Sequence, residues 1–282
     1  MKQILVIGEH SYIGTSFRDY MADCAPDVKI TLTGARDGAW KQKDFSRYDA
    51  VLHAAAVVHK KEQPDMRQLY HEVNSLLPYQ VAKKAKAEGV KHFLFLSTMA
   101  VYGEESGMIA AEASPKPVTL YGKSKLKAER GLKKLADESF RVSVFRPPMV
   151  YGPDCPGNYG KLARLANFLP VFPKVENKRS MIYIENLCEC IRQKLLDETE
   201  SFCVICPQDA EYVNTTELVR EIRKAHGKHT WALPFLDRPI RLFAKKSSIL
   251  GKVFGNCCYE KGESVRSYQV KNFCEAIQKT ER

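Results

Sequence analysis

Residues 3–14 read QILVIGEHSYIG. The run closing at Ile7 is apolar on both alternating faces, the composition of a strand buried inside a parallel sheet. Gly8 stops it, and residues 13–22 restart with helical spacing, so the stretch is a strand, a tight turn and a helix. Such a helix aims its first backbone N–H groups and the positive end of its dipole at the turn, an arrangement suited to a pyrophosphate. Gly8, Ser11 and Gly14 stand three apart, with Tyr12 and Ile13 opening the helix. A glycine after an apolar strand is also an ordinary turn, so the rest of the chain has to decide.

A second strand covers 28–33, and the apolar run 50–58 opens as a third. Residues 66–88 have the spacing of a long helix with Gly89 as its cap. A strand at 92–96, a helix over 120–136 and a strand at 142–145 continue the alternation, which predicts an α/β fold with a doubly wound parallel sheet. After Arg146 the prolines at 147, 148, 153, 156, 170 and 173 break up regular structure. A helix over 185–196 and a strand over 202–205 return to the sheet. The expected organisation is a dinucleotide-binding Rossmann domain of residues 1–147 plus 180–207, and a smaller, helical and loop-rich C-terminal substrate-binding lobe of 148–179 plus 208–282.

The chain has 282 residues, 44% hydrophobic, and no apolar run long enough to span a membrane or act as a signal peptide, which predicts a soluble cytoplasmic protein without membrane insertion. Its nine cysteines lack zinc spacing and are read as reduced thiols; no metal is expected. The net charge of +11 suits phosphate-bearing ligands as well as nucleic acid or a membrane surface. The densest lysine group, 123–134, lies on a predicted helix without interleaved aromatics, which argues against nucleic acid.

Two clusters carry chemistry. Tyr121 and Lys125, in YGKSK, are four apart at the start of a helix and share a face. A lysine cation there lowers the phenol pKa, making Tyr121 an acid/base. The strand HFLFLS ends in Ser97 and Thr98, placing hydroxyls at the carboxyl edge where open α/β sheets bind ligands. At the end of the second strand, ITLTGARDG has no acid; Arg36 follows, with Lys41 and Lys43 beyond, which tilts a dinucleotide preference toward NADP over NAD, although Asp37 is within reach of a ribose. His59 follows the third strand and reads as a surface or packing residue, and His53 as buried in it.

With IGEHSYIG, VLHAAA, FLFLSTMAVYG, YGKSK, FRPPMVYGP and RSMIYIENL in this order, the chain resembles the extended short-chain dehydrogenase/reductases, the group of nucleotide-sugar 4-epimerases, 4,6-dehydratases and 4-ketosugar reductases. The resemblance implies Thr98, Tyr121 and Lys125 as the catalytic set, Lys125 also holding the nicotinamide ribose. It implies Asp44 and Phe45 beside the adenine, Ala54, Ala55 and Ala56 along the cofactor, Asn74 ordering the catalytic helix and Pro148 near the carboxamide. Asn158 and Arg179 become substrate contacts, Arg179 at the diphosphate. Dehydratases of the group carry an acidic pair after the catalytic threonine; Met99 and Ala100 stand there instead, which argues against dehydration. What remains is redox chemistry at C4 of a nucleotide-diphosphate sugar in bacterial-type surface-polysaccharide metabolism, as a 4-epimerase or, slightly preferred on Arg36, a 4-ketoreductase. A homodimer is implied. The competing reading is a non-catalytic dinucleotide-binding regulator of the same fold.

Overall fold

The computed structural model describes residues 2–36, 38–58, 62–103, 107–197, 199–236 and 254–282; Asp37 and His59 lie outside them. The first half runs β1 (Gln3–Ile7), α1 (Tyr12–Cys24), β2 (Lys29–Thr33), a short α2 (Ala39–Gln42) and β3 (Ala50–His53). The long helix expected over 66–88 is there, as a 3-10 turn (Pro64–Met66), α3 (Arg67–His71), a π turn (Glu72–Leu76) and α4 (Leu77–Ala87), and Gly89 beyond it has φ +85°. Then come β4 (His92–Leu96), a 3-10 turn (Met99–Tyr102), β5 (Gly107–Ile109), α5 (Leu120–Lys133) and β6 (Arg141–Phe145). The remainder is β7 (Met149–Tyr151), α6 (Asn158–Phe168), β8 (Val171–Pro173), β9 (Met181–Tyr183), α7 (Ile184–Leu196), β10 (Phe202–Ile205), α8 (Thr215–Ala225), β11 (Trp231–Leu233), β12 (Cys257–Tyr259) and α9 (Phe273–Thr280).

The chain folds as two compact units. The first holds the described residues of Met1–Gly103, Pro115–Pro147 and Leu187–Pro207. Its six strands form one sheet in the order β10-β6-β4-β3-β1-β2, parallel throughout, so the α/β expectation holds. Leu5, Ile7, Val51, Phe93, Phe95, Val142 and Val144 form one face of the core with Val81, Ala82 and Ala85 of α4 and Ala128 and Leu132 of α5. Alternation sends Val6 to the opposite face, where α1 lies closely enough that a Cβ on Gly14 would come within 3.0 Å of Val6 Cγ1. Chain order reverses between β1 and β3, because β2 flanks β1 on one side and β3 on the other. Ligands of open α/β sheets bind at such a switch point.

The second unit comprises the described residues of Glu104–Ser114, Pro148–Asn186 and Gln208–Arg282. Helices and loops were expected here; the unit also contains three two-stranded parallel pairs, β7 with β9, β8 with β11 and β5 with β12. Strands of three residues complete barely one alternation, so no period marks them in the sequence. Asp209 ties this unit together: its carboxylate accepts hydrogen bonds from Tyr183 N, Asn186 Nδ2 and the Tyr151 hydroxyl. All nine cysteines are free thiols, and no helix among the described residues is long and apolar enough to cross a membrane.

Gly8 is the residue on which the switch point closes. Its φ of +121° is hostile to other residues, and a Cβ there would stand 2.9 Å from Ala55 N. Gly8→Ala is therefore expected to destabilise the protein by about 1–3 kcal/mol, read as a lower midpoint in urea unfolding; an unchanged midpoint would show that the turn relaxes freely.

Candidate active site

The turn after β1 is stitched to both neighbouring strands. Gly8 N and Glu9 N donate to Thr33 O at the end of β2, while Ala54 N and Ala55 N both donate to Ile7 O at 2.9 Å. Ser11 is the N-cap of α1: its Oγ accepts from Gly14 N at 3.4 Å, and its φ of −73° needs no glycine. Serine in the middle of the turn thus keeps the helix N-terminus ordered. Tyr12 and Ile13 occupy the first helical turn, Gly14 lets α1 press onto β1, and Ala54 Cβ would lie 3.4 Å from a Cβ at Gly14. These dimensions, with the dipole of α1 directed at a turn that admits no extra carbon, fit the pyrophosphate of a dinucleotide.

Further along the same sheet edge, Thr98 follows β4 and Tyr121 opens α5. The structure brings them together: Thr98 makes a hydrogen bond to the Tyr121 hydroxyl that favours the phenolate. Burial outweighs it, and the phenol is pushed up to about 12, with Tyr70, edge-on at 6.5 Å between ring centroids, adding to the rise. Lys125 departs from expectation. Its Nζ donates to Leu96 O at 2.7 Å and lies over the Phe95 ring at 4.6 Å, and its charge does not lower the Tyr121 pKa here. The physical reason is burial: Lys125 is 1% exposed, and its ammonium takes the Leu96 carbonyl at the strand end as partner. The same burial brings its pKa down to about 7, opposed by the carboxylate of Glu129 one turn on.

Glu129 belongs to a buried network that holds α5 to the sheet. Arg146, just past β6, donates from Nε (3.1 Å) and Nη2 (2.6 Å) to the two Glu129 oxygens and from Nη1 to the Tyr102 hydroxyl (2.7 Å). Ser97 Oγ donates to Glu129 as well, and the Tyr102 hydroxyl meets Cys206 Sγ at 3.5 Å beyond β10. One carboxylate therefore joins the carboxyl ends of β4 and β6 to the helix carrying Tyr121 and Lys125. Close packing does the rest, since a Cβ on Gly122 would stand 2.5 Å from Ala100 O.

The model of the NAD dependent epimerase/dehydratase family matches residues 4–201. The chain belongs to that family. It is 36% identical to a UDP-glucose 4-epimerase of Vibrio cholerae over 73% of this chain and 66% of that protein. It is 28% identical to an N-acetyl-alpha-D-glucosaminyl-diphospho-ditrans,octacis-undecaprenol 4-epimerase of Escherichia coli O157:H7, over 98% of this chain and 86% of that protein. Among solved structures, a UDP-glucuronic acid 4-epimerase from Bacillus cereus in complex with NAD superposes with a TM-score of 0.72 at 17% identity, covering 99% of this chain and 97% of that one. A dTDP-4-dehydrorhamnose reductase from Bacillus anthracis in complex with NADP gives 0.71 at 16%, covering 99% and 98%. The fold is thus that of the extended short-chain dehydrogenase/reductases.

The other positions that the family resemblance singles out are placed variously. Asn74, in the π turn, exchanges hydrogen bonds with Val57 N (2.8 Å) and O (3.0 Å) and donates to Ser124 Oγ of α5 at 3.3 Å, so it does order the helix that carries Tyr121. Ala54 to Ala56 follow β3 at the switch point. Phe45 is a fully buried core ring with Lys84 Nζ 5.1 Å above it, and Asp44 is exposed, its carboxylate held by Ser46 and Arg47 and its pKa lowered chiefly by the Ser46 hydroxyl. Arg36, exposed beyond β2, has a side chain available to solvent, while His53 is sealed between Phe93 and Phe95, its pKa pushed down to about 3 by burial. In the second unit Pro148 is buried, Asn158 is exposed at the start of α6, and Arg179 Nη1 donates to Gly255 O at 2.9 Å, burial lowering its pKa.

Two residues escape the sequence argument. Glu62 accepts from Leu120 N and Tyr121 N, both at 2.9 Å, capping α5 from a distant loop that no local signal marks. Glu129 has a signal, four residues after Lys125, but so do most surface ion pairs.

Because the Glu129 carboxylate lies between two buried cations, Arg146 and Lys125, Glu129→Gln is expected to cost about 3–5 kcal/mol of stability. The same change removes the charge that holds the Lys125 pKa up, so Lys125 should lose its proton at a pH below about 7. Titration of the lysine by NMR after selective isotope labelling checks this; a Lys125 pKa that rises would refute the coupling.

Proposed function

We propose that the chain is a 4-epimerase of diphosphate-linked hexoses, with a nucleotide sugar as substrate. The pairing of the Tyr121 hydroxyl with Thr98 beside the glycine turn at the switch point carries this reading. Gly8, Ser11, Tyr12, Ile13, Gly14 and Ala54 to Ala56 would hold the dinucleotide, with Lys125 at its ribose. A nicotinamide dinucleotide bound there supplies reversible hydride exchange at C4. Tyr121 Oη takes the proton of the sugar O4 hydroxyl as C4 is oxidised to the ketone and returns it when the hydride comes back to the opposite face, so the net redox change is zero. Thr98 donates a hydrogen bond to the phenol oxygen, which supports the phenolate through the half of the cycle that needs it. Met99 and Ala100 hold no proton to exchange at C5 or C6, in keeping with epimerisation and not dehydration. The regulator reading loses ground, since Tyr121, Thr98 and Lys125 are all present and two of them are in register.

Arg36, exposed at the end of β2, favours NADP and with it the 4-ketoreductase as second reading. A lipid-carried diphosphate sugar is the other substrate reading, supported by the relative that aligns over 98% of this chain.

Purified protein is expected to retain dinucleotide and to interconvert a UDP-hexose and its C4 epimer without net absorbance change at 340 nm. Steady NADPH consumption on a 4-ketosugar would establish the reductase instead. Tyr121→Phe should lower turnover at least about a hundredfold with dinucleotide binding retained; near-wild-type turnover would remove Tyr121 from the mechanism.

A further inference from the structure

One surface of the second unit is apolar and basic at once. Leu165, Phe168 and Leu169, at the spacing of one helical face, emerge from the end of α6, and the chain continues through Pro170 into the exposed Val171 of β8. Phe168 is 88% exposed. Trp231 of β11 pairs with Val171, its N–H donating to Pro170 O at 2.9 Å, and is 64% exposed; Phe235, four residues on, is 70% exposed. The buried Arg223 locks the halves together, donating to Ala166 O and Asn167 O at the end of α6 and to His229 O before β11. The β8–β11 pairing and the Arg223 contacts thus hold these large, exposed side chains on neighbouring segments of backbone.

The two segments that carry it are basic, and Glu221, just outside them, is paired with Lys224 at 3.4 Å. Residues 158–174 and 222–236 contain Lys161, Arg164, Lys174, Arg223, Lys224 and Lys228 and no aspartate or glutamate. Of these, all but Arg223 are exposed. A partner protein with an apolar face would be met as well without such a rim, whereas phenyl and indole rings bordered by lysine and arginine are the combination that seats a protein in the headgroup region of an anionic bilayer.

We propose that this patch docks the protein on an anionic phospholipid surface, with Phe168, Trp231 and Phe235 entering the headgroup region and Lys161, Arg164, Lys174 and Lys228 meeting the phosphates. Docking is peripheral. It requires no spanning helix and does not depend on the epimerase reading, but it would bring the enzyme to substrates carried on a lipid diphosphate.

Co-sedimentation with vesicles of equal parts phosphatidylethanolamine and phosphatidylglycerol, against vesicles of phosphatidylcholine alone, tests it. The wild type should partition at least about tenfold more strongly to the anionic vesicles, with the difference lost in high salt. The triple variant Phe168→Ser, Trp231→Ser, Phe235→Ser removes only exposed rings, so it should fold normally, keep its turnover on a soluble UDP-hexose and bind the anionic vesicles at least about tenfold more weakly. Wild-type protein that stays in the supernatant would overturn the proposal, as would a triple variant that binds undiminished. If the triple variant instead turns a dimer into a monomer by light scattering, with no vesicle binding by the wild type, the patch is a contact between copies of this chain and the proposal fails. Loss of turnover in the Tyr121→Phe variant leaves vesicle binding untouched, so the two readings fail separately.

Discussion

The bidentate pair between Glu129 and Arg146 is the interaction on which the candidate site depends. A parallel sheet presents the ends of its strands as a row of loops; backbone hydrogen bonds order the start of those loops, as from Ser97 N to Phe145 O and from Met99 N to Pro147 O, but a ladder between strands does not fix the helix beside them. The pair does so from below: Arg146 comes from the end of β6, Glu129 from α5, Ser97 from the end of β4, and Tyr102 from the turn that Thr98 opens. With both partners nearly excluded from water, the ion pair adds little net stability over an apolar substitute, but breaking it leaves a bare charge, so it acts as a registration device for α5.

The same pair sets the electrostatics of Lys125. Two buried cations share one carboxylate, and Arg146 keeps its proton because two side chains accept from it, so the adjustable charge is the lysine. The sign of the linkage follows. Its folded pKa of about 7 lies below its unfolded value, so between the two the unfolded chain binds more protons and stability attributable to Lys125 rises with pH. Below about 7 the ammonium is held at an electrostatic cost that a ligand offering acceptor oxygens would reduce, and ligand binding and lysine protonation are therefore coupled.

Much of this was legible in the sequence. Strands buried on both faces are marked by continuous apolar runs, so β1, β3, β4 and β6 stand out in QILVI, AVLH, HFLFL and RVSVF; Gly8 marks the turn because its positive φ and the Ala55 backbone leave no room for a side chain, and Gly14 because α1 packs tightly on β1 there. Ser11 looks like a defect in a glycine pattern and is a helix cap, a role visible only when the residue is asked what its own hydroxyl can accept. The direction of Lys125 was not legible, because helical spacing places Tyr121 and Lys125 on one face without saying which carbonyl lies closer. Nor were Glu62 and the short pairs of the second unit, which arise from contacts between segments far apart in the chain.

The height of the Tyr121 pKa bears on how such a site works in both directions. A phenol near 12 gives a proton readily to a developing alkoxide and is slow to accept that role in reverse, since its phenolate is scarce at neutral pH. Reduction of a ketone needs only the first capability; epimerisation needs both in every turnover. The Thr98 hydrogen bond is the device in this structure that narrows the gap, and a cation brought closer to the phenol would narrow it further. Lys125, held at Leu96 O by one hydrogen bond and a ring contact, is near enough in sequence and on the right helical face to be that cation if a ligand draws it over. In the proton balance, epimerisation thus asks more of Lys125 than reduction does, because only the former needs the phenolate in each turnover.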